Sequence, residues 1–545
     1  MRPLDGELLS LLADMPFLDR LEAVAVSGWS RGGVYGAGRR LEDAGLVSAV
    51  PHATDVTAPT RRFHLTSAGV ELLADVEGRS LEALLRCRPV SNQWRRTLLE
   101  RLDGVAVVYR LAAAVANIHH PIRFRWYRAM PMDAAISLPG GCTIAVIRQG
   151  PTADRTGFSK RLRRLMDGPR FGGVLLLAPD ETGLRYARRL LAGARAAAVL
   201  ALERDAAAGA TGDRVWRLPS LNAAIDLRTA IDRMGRGGAF PAERPLARAY
   251  VPESLAQDVP SRPIPDYMLP ALLKPAEKRV LDVLSDWPWI ALEDLAGLLG
   301  LVRSRTYEIA AALQGFGLVT RVPAGGRRLT LTDQGLAMLA RRDRTAVGLA
   351  RRRWSAAPNN AGDWRSISGR RSRQLLRNME HTAAVHGFVA YMARQARHLG
   401  WEVDQLDPPR KSSRYFRYFG GMRSIHPDAF GVLRRGDVTW PFFLEWERRA
   451  VRPVTMVGRL APYLRYYSSH RPIDDHGAPP IVLVVFDDDI ARTHFLSVAQ
   501  EEMARLRVAV PLLASHRGLL EREGPLGRAW LVPGGHRPVS PVPSA

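Results

Sequence analysis

Two segments of this 545-residue chain repeat one another. The first, RRFHLTSAGVELLA, begins at residue 61, and the second, RRLTLTDQGLAMLA, begins at residue 327. Similar turns precede them, LEDAGLV from residue 41 and LQGFGLV from residue 313. Because a repeated sequence specifies a repeated structural unit, the two blocks predict the same local fold.

Each block predicts three helices, a two-stranded hairpin and a fourth helix. Apolar residues recur at helical spacing before each turn, and alternating residues on both sides of the hairpin loop predict its strands. Thr66 and Thr332 stand where the N-cap of the last helix is expected. This order resembles the winged helix-turn-helix family, whose third helix enters the major groove of DNA. Members of that family also serve as dimerisation or protein-docking modules, and this alternative stays open.

The resemblance places candidate DNA contacts on the third helix and on the hairpin of each block. Positively charged side chains there would contact phosphate or base edges. The candidates in the first block are Arg31, Arg39, Arg40, Arg61 and Arg62, and those in the second block are Arg303, Arg305, Thr306, Arg327 and Arg328. Lys411, in the later segment RKSSRYFRYF, is a further candidate.

The similarity continues beyond the hairpins. TLLERLDGVAVVYRLAAAVA, from residue 97, aligns without a gap on QLLRNMEHTAAVHGFVAYMA, from residue 374. MDAAISL, TIAVIRQG and KRLRRL then align in the same order on PDAFGVL, PFFLEWER and GRLAPYL. These segments read as helices and strands in alternation, which is typical of an α/β domain. The order of these aligned segments therefore predicts a tandem duplication of a unit that consists of a winged helix followed by an α/β domain.

The second copy places acids on a strand that is apolar enough to be buried. In FFLEWE, Glu445 and Glu447 face the same side because side chains alternate along a strand. Asp428 lies on the strand expected alongside, so three carboxylates would converge at one edge of the sheet. Such carboxylates repel one another unless a cation lies between them, and Mg²⁺ or Mn²⁺ is the natural ion for oxygen ligands. The alternative is a set of solvent-facing acids on an edge strand.

Three features together resemble the PD-(D/E)xK nuclease superfamily. They are PD at residues 427–428, EWE at residues 445–447 and the basic, tyrosine-bearing helix MVGRLAPYLRYY that follows. With the EH pair at Glu380 in the preceding helix, the pattern is also similar to the replication-relaxation family of mobile-element proteins. The resemblance implies metal-dependent nicking or cleavage of double-stranded DNA in replication or mobilisation. It assigns a catalytic set and a metal set: Asp428, Glu445, Glu447 and Arg459 for catalysis, and Asp428, Glu445 and Glu380 for the metal.

This sequence departs from the nuclease pattern at the usual lysine. Glu447 stands in its place, and Lys411 or Arg459 could supply the missing positive charge. An arginine would clamp phosphate rather than act as a base, because its guanidinium stays protonated. The enzymatic assignment is therefore open.

The first copy supports a role for the acids. It keeps Asp133 but has Ile147 and Gln149 where the second copy has Glu445 and Glu447, and Asp103 in place of Glu380. The strand can evidently form without those acids. We therefore interpret the first α/β domain as a degenerate nuclease-like domain.

These patterns predict a fold class and its boundaries. The fold class is α/β combined with all-α winged-helix domains, arranged as a tandem duplication of a winged helix followed by a restriction-endonuclease-like α/β domain. The predicted segments are a winged helix at 1–80, a degenerate α/β domain at 90–245, a Pro-rich linker at 246–273, a second winged helix at 274–345, a nuclease-like α/β domain at 370–520 and a tail at 521–545, disordered at its end.

Charge and hydropathy limit the partners. The chain has 78 Lys and Arg against 54 Asp and Glu, a net charge of +24, which favours a polyanionic partner such as DNA. No apolar run has the length of a membrane span or signal core, so we expect a cytoplasmic protein without a membrane partner. Other replication or mobilisation proteins are further candidate partners, and the oligomeric state is not predicted.

Two functions follow. The first is a DNA-binding protein of a mobile element whose second α/β domain cleaves DNA. The second is a non-catalytic DNA-binding regulator or accessory factor, in which both α/β domains are scaffolds. Close approach of the four acids would favour the enzyme, whereas an ion pair between Glu447 and Arg459 would favour the regulator.

Overall fold

The computed structural model describes residues 2–193, 197–209, 211–220, 223–243, 264–322, 328–358, 367–447 and 453–543. The fold is mixed α/β, with many helices and several small sheets. The chain forms two compact units. Unit 1 contains Met1–Lys278 and Ala337–Leu349, and unit 2 contains Arg279–Leu336 and Ala350–Ala545.

The elements of the first repeat follow the predicted order. Its helical block comprises α1 (Pro3–Asp14), α2 (Arg20–Ser27), α3 (Arg31–Asp43), β1 (Val47–His52), β2 (Thr60–Leu65) and α4 (Ser67–Val76). The α/β part follows with α5 (Leu81–Cys87), α6 (Asn92–Glu100), α7 (Leu102–Ala116), β3 (Arg123–Trp126), β4 (Ala134–Ser137), β5 (Thr143–Arg148), α8 (Arg155–Met166), β6 (Gly173–Ala178), α9 (Glu181–Leu191), β7 (Ala198–Leu202), α10 (Glu203–Ala208), β8 (Trp216–Arg217), β9 (Ala224–Ile225) and α11 (Leu227–Asp232).

The second repeat has a corresponding order. After α12 (Leu269–Leu272), its helical block comprises α13 (Pro275–Asp286), β10 (Ile290–Ala291), α14 (Leu292–Leu299), α15 (Arg303–Gly315), β11 (Val319–Val322), β12 (Arg328–Leu331) and α16 (Asp333–Arg342). The rest comprises α17 (Val347–Trp354), α18 (Arg370–Arg377), α19 (Met379–His398), β13 (Glu402–Asp407), α20 (Pro409–Ser412), β14 (Arg414–Tyr418), β15 (Gly421–Ile425), β16 (Ala429–Arg435), β17 (Val438–Glu447), α21 (Pro453–Tyr467), α22 (Arg471–His476), β18 (Ile481–Phe486), α23 (Asp489–Leu506), β19 (Leu512–His516) and α24 (Arg517–Glu523).

The central sheets of the two units share their pairing. In unit 1 the order is β3-β4-β5-β6-β7-β8-β9, and in unit 2 it is β13-β16-β17-β18-β19. In both, the first two pairings are antiparallel and the next two are parallel. The second helix of each helical block also packs on the long helix of its own unit, α2 on α7 and α14 on α19. Five strands of each central sheet therefore pair in the same order and with the same directions.

One turn has the same geometry in both helical blocks. Thr66 accepts a hydrogen bond from the backbone N–H three residues further along at 3.1 Å, and its hydroxyl donates to the carbonyl of Gly45 at 2.7 Å. Thr332 makes the same two bonds at 3.1 and 2.6 Å, the second to Gly317. The φ angles of these glycines are +70° and +71°, which a residue with a Cβ rarely adopts. The predicted threonine caps are confirmed.

Two details differ from the expected fold. The hairpin of the second block gains a third strand, because β10 pairs with β12. The segment predicted as a tail packs on the rest of unit 2 in its described part, since Trp530 is fully buried and its backbone pairs with Val539. The last two residues of the tail, 544 and 545, lie outside the described residues. The predicted linker lies largely outside the described residues.

Candidate functional site

The predicted acids of unit 2 lie around one cavity of about 1060 Å³. It opens where β16 begins and β17 ends, with α19 and α21 on its sides. The side chains that could carry chemistry there are Glu380, His381, Asp428, Glu445, Glu447, Arg459 and Tyr463. Asp428, Glu445 and Glu447, which the sequence predicts at one edge of the sheet, all line this cavity.

Asp428 is held by the backbone of the neighbouring strand. Its N–H donates to the carbonyl of Leu444 at 2.8 Å, and its Oδ2 accepts from the N–H of Trp446 at 2.9 Å. Its Oδ1 lies 3.0 Å from Nε2 of His381, at the start of α19. These contacts fix the direction of the carboxylate toward the cavity.

Glu445 is partly buried in the middle of the site. Burial, and then the negative charge of Asp428, raise the pKa of Glu445 to about 8. Its Oε1 accepts a hydrogen bond from the hydroxyl of Tyr463 on α21 at 2.5 Å, which opposes that rise. At neutral pH the glutamate therefore favours its protonated form until a cation compensates the charge of the pair.

Glu447 is not free. It ends β17, is buried, and forms an ion pair with Arg459 on α21. Half of the Arg459 side chain stays exposed, so its guanidinium lies at the rim of the cavity. This ion pair is the arrangement that favours a regulator over an enzyme, because it occupies the carboxylate expected to position water.

The pair of Asp428 and Glu445 suits a hard divalent cation. Mg²⁺ is commonly bound by one or two carboxylates, with water and substrate phosphate in the remaining positions. In the part of the chain that the structure describes, no group of three or more His, Cys, Asp or Glu side chains is arranged to hold a metal. The donors present therefore fit a two-carboxylate site but not an all-protein cage.

Two other predicted residues have clear positions. Glu380 is exposed in the first turn of α19 and lines the same cavity. Lys411 lies on α20, and its ammonium pairs with Asp286 at 2.8 Å. Lys411 is not among the residues that line the cavity. Of the two candidates for the missing positive charge, Arg459 therefore lines the cavity and Lys411 does not.

In unit 1, arginines surround the corresponding aspartate. The N–H of Arg148 donates to Asp133 at 2.7 Å, as Trp446 donates to Asp428 in unit 2. The guanidinium groups of Arg161 and Arg344 lie 2.6 and 2.9 Å from Asp133. Burial alone would raise its pKa, but these two charges hold the pKa of Asp133 well below its ordinary value. Fixed cations thus neutralise the aspartate in unit 1.

The remaining substituted positions of unit 1 are also neutral or paired. Ile147 is fully buried at the position of Glu445. Asp103, at the position of Glu380, lies 2.6 Å from Nζ of Lys278 and 3.0 Å from Nε2 of His52. Burial alone would raise its pKa, but Lys278 and His52 hold the pKa of Asp103 well below its ordinary value. These contacts are structural and leave no carboxylate pair comparable to that of unit 2.

The candidate DNA contacts of the first block differ in exposure. Arg31, Arg39 and Arg61 are exposed on α3 and β2. Arg61 pairs with Glu42 at 2.6 Å, and Arg39 lies 3.9 Å from Asp43. Arg40 pairs with Asp5 at 2.5 Å, which leaves part of its side chain accessible. Of these candidates, the three exposed arginines are the ones accessible for phosphate contact.

In the second block, the two arginine candidates of α15 face outward. Arg303 and Arg305 are exposed, and each pairs with a surface glutamate at 2.8 Å. Arg328 is half-buried and donates to the carbonyl of Trp289 at 3.2 Å. Arg327 lies outside the described residues.

Two candidates lie in the interior, and the expectation that they face DNA is withdrawn. Arg62 is fully buried, with two guanidinium nitrogens on Glu22 at 2.9 and 3.1 Å and a further bond to the carbonyl of Phe17. Thr306 is fully buried, and its hydroxyl donates to the carbonyl of Val302 at 3.1 Å. In each case a partner within the unit satisfies the polar group.

Sequence reasoning missed two contacts at the site. His381 was seen only as part of the EH pair, although it contacts Asp428 directly. Tyr463 is not among the site residues predicted from the sequence, although its hydroxyl donates to Glu445. The signal for Tyr463 was its position one turn after Arg459 on the same helix, since residues four apart share a helix face.

Comparison with known families decides part of the assignment. Residues 296–482 match the replication-relaxation family model. The matched region covers about a third of the chain and includes Glu380, Asp428, Glu445 and Arg459. It extends from α14 to the start of β18. These four site residues therefore lie within the part of the chain that matches this family model.

The other comparisons add no relative. No curated protein and no solved structure matches this chain. Among the described residues, the helices are too short or too polar to cross a membrane.

Proposed function

We propose that unit 2 binds double-stranded DNA of a plasmid or another mobile element and nicks or cleaves it with a divalent cation. The replication-relaxation match supports a role in replication or mobilisation of such elements. The net charge of +24 supports a polyanionic partner, since cationic surfaces attract DNA at long range. Other replication or mobilisation proteins that bind the same DNA would then be candidate partners of this chain.

The carboxylate pair is the observation that carries the proposal. Asp428 and Glu445 both line one large open cavity, and burial together with the negative charge of Asp428 raises the pKa of Glu445. Two carboxylates that lie close together in a buried site repel each other unless a cation or a proton lies between them. The aligned aspartate of unit 1, Asp133, has two arginines as partners.

Each residue then has a distinct role. Asp428 and Glu445 would hold Mg²⁺ or Mn²⁺, with Glu380 further out. When bound, such a cation supplies an electrophile for the phosphate and lowers the pKa of water. Arg459 lies at the rim, where its guanidinium can bind a phosphate oxygen. If Arg459 turns to phosphate, Glu447 is released to orient the attacking water.

The alternative function is a non-catalytic DNA-binding regulator or accessory factor. The ion pair between Glu447 and Arg459 favours it, because both groups satisfy each other without substrate. Cleavage of supercoiled plasmid with Mg²⁺ or Mn²⁺ separates the two functions. Relaxed or linear product that depends on the cation supports the nuclease, and binding without any product supports the regulator.

Cation binding at pH 7 should release about one proton. Glu445, whose folded pKa is about 8, is mostly protonated at pH 7 and must ionise to bind the cation. The release should fall toward zero at pH 9, where Glu445 is already ionised. Calorimetric titration with Mn²⁺ in two buffers of different ionisation enthalpy measures the number of protons.

Two variants test the source of that proton. Tyr463→Phe removes a hydrogen bond that favours the ionised glutamate, so the midpoint of proton release should move to higher pH by about one unit. Tyr467→Phe is the control, because that hydroxyl donates to the carbonyl of Pro480 instead. Equal midpoints in wild type and Tyr463→Phe would contradict the assignment.

DNA affinity should depend steeply on salt. A protein that makes six to ten phosphate contacts loses roughly 10³- to 10⁵-fold in affinity between 50 and 200 mM salt, through counterion release. Fluorescence anisotropy with a labelled duplex measures this slope. A nearly flat slope would argue against both proposed functions.

A further inference from the structure

A hairpin of unit 2, formed by β14 and β15, has no equivalent in unit 1. Along the chain, these two strands lie between β13 and β16. They pair with each other and form a separate two-stranded sheet. In unit 1 the chain passes from β3 to β4 through residues 127–133, all of which are described, without such a hairpin. The insertion therefore occurs in the unit that carries the carboxylate pair.

The tip of this hairpin has an unusual residue. Phe419 is 93% exposed, and its φ is +44°, followed by +76° at Gly420. Two-residue turns with positive φ at both central positions strongly favour Asn, Asp or Gly. A bulky ring is rare in that backbone region, and full exposure of the ring costs free energy as well. Folding alone would select another residue here.

The base of the hairpin is firmly packed. Phe416 and Ile425 are 1% exposed and lie in the core with Leu460 and Tyr463 of α21. Two further residues, Ser424 and His426, are joined by a hydrogen bond of 2.8 Å, and both line the cavity. The hairpin is thus anchored to the helix that also carries Arg459.

The outer surface of the hairpin combines apolar and positive side chains. Tyr415 and Met422 are 59% and 63% exposed. Arg417 and Arg423 are also exposed, and the hairpin carries no acid. Exposed rings next to arginines suit a partner that offers stacked bases and phosphates together.

We propose that the β14–β15 hairpin inserts Phe419 between base pairs of double-stranded DNA that lies across the cavity, and so opens the duplex beside the carboxylate pair. The proposal rests on the proposed function of unit 2. Apolar wedges of this kind unstack a base step and kink the duplex, and phosphate contacts offset the cost. Arg417 and Arg423 supply such contacts on the two strands of the hairpin.

A base analogue in duplex DNA tests this insertion. The full-length protein should raise the fluorescence of 2-aminopurine in a duplex, because the base is quenched while stacked. Phe419→Asn should remove that rise and weaken duplex binding roughly 5- to 100-fold, the range expected for one stacking side chain. Since Asn suits a positive φ, this variant should fold at least as stably as the wild type, which thermal unfolding can verify.

Controls separate the hairpin from general effects. Ile490→Asn replaces another exposed apolar residue, 68% accessible on α23, and should leave both signals unchanged. Phe419→Trp should keep the fluorescence rise. An equal rise with Phe419→Asn and wild type, or no rise with either, overturns the proposal.

Cleavage assays distinguish this proposal from the nuclease function. Phe419→Asn should cleave a fully paired duplex more slowly than one with a preformed bubble, whereas Asp428→Ala should cleave neither. If no DNA is cleaved by the wild type but unstacking still depends on Phe419, the wedge stands and the nuclease function fails. If Phe419→Asn slowed the cleavage of paired and of bubble DNA by the same factor, the proposed insertion of Phe419 would be wrong.

Discussion

Asp428→Ala and Glu445→Ala should each lower the cation-dependent cleavage of supercoiled plasmid by at least about 10³-fold. Both carboxylates line one cavity, and burial together with the charge of Asp428 raises the pKa of Glu445. Loss of either leaves a single ligand, and metal ions contribute several kcal/mol of transition-state stabilisation in phosphoryl chemistry. Product should be measured on gels over a range of Mg²⁺ and Mn²⁺ concentrations.

Asp133→Asn in unit 1 is the matched control. It changes the aligned aspartate, which pairs with Arg161 and Arg344. Cleavage per folded molecule should be unchanged by this substitution. If Asp133→Asn abolished cleavage while Asp428→Ala did not, the assignment of the site to unit 2 would be wrong.

Glu447→Gln separates the two proposed functions further. If Glu447 orients water, the substitution should lower cleavage without weakening DNA binding. If Glu447 only neutralises Arg459, the freed guanidinium should strengthen DNA binding and leave any cleavage unchanged. Anisotropy and plasmid assays on the same variant read both effects.

The second large effect concerns stability rather than catalysis. Arg62→Ala should lower the free energy of unfolding of unit 1 by about 3–5 kcal/mol, because the buried carboxylate of Glu22 loses its ion pair with two guanidinium nitrogens at 2.9 and 3.1 Å. The N–H of Asp19 and the guanidinium of Arg110, 3.8 Å away, remain near Glu22 and do not replace that pair. Urea unfolding followed by hydrogen exchange of unit 1 amides would measure the change. Two units need not unfold together, so the exchange data should be read for this unit alone.

Arg39→Ala is the matched control for that substitution. Its side chain is 84% exposed, and it lies 3.9 Å from Asp43 on the same helix. Its stability change should stay within about 0.5 kcal/mol. The opposite result, a stable Arg62→Ala variant with weakened DNA binding, would restore the original expectation that Arg62 contacts phosphate.

The local elements were predictable because their signals are local. Helical periodicity and the repeated turn identified both helical blocks, and the capping positions of Thr66 and Thr332 follow from the N-cap preference. The alignment of the two α/β regions also predicted that Asp133 and Asp428 share a position. The matching backbone bonds from Arg148 and Trp446 agree with that alignment.

The fate of individual side chains was not predictable in the same way. Arg62 and Arg61 are adjacent and chemically identical, yet one is buried against Glu22 and the other is exposed. Alternation along a strand separates the two faces, but only the packed unit determines which face is covered. The same holds for Glu447, whose partner Arg459 comes from the following helix.

The sequence by itself determined the repeat, the order of elements, the excess of positive charge and the presence of acids on one strand of the second copy. Each depends on residue type and spacing along the chain. Only the tertiary structure decided that Asp428 and Glu445 share a cavity, that His381 and Tyr463 contact them, and that a hairpin with Phe419 at its tip adjoins it. These contacts join residues far apart in sequence, and their energies depend on burial and distance, which spacing along a chain does not specify.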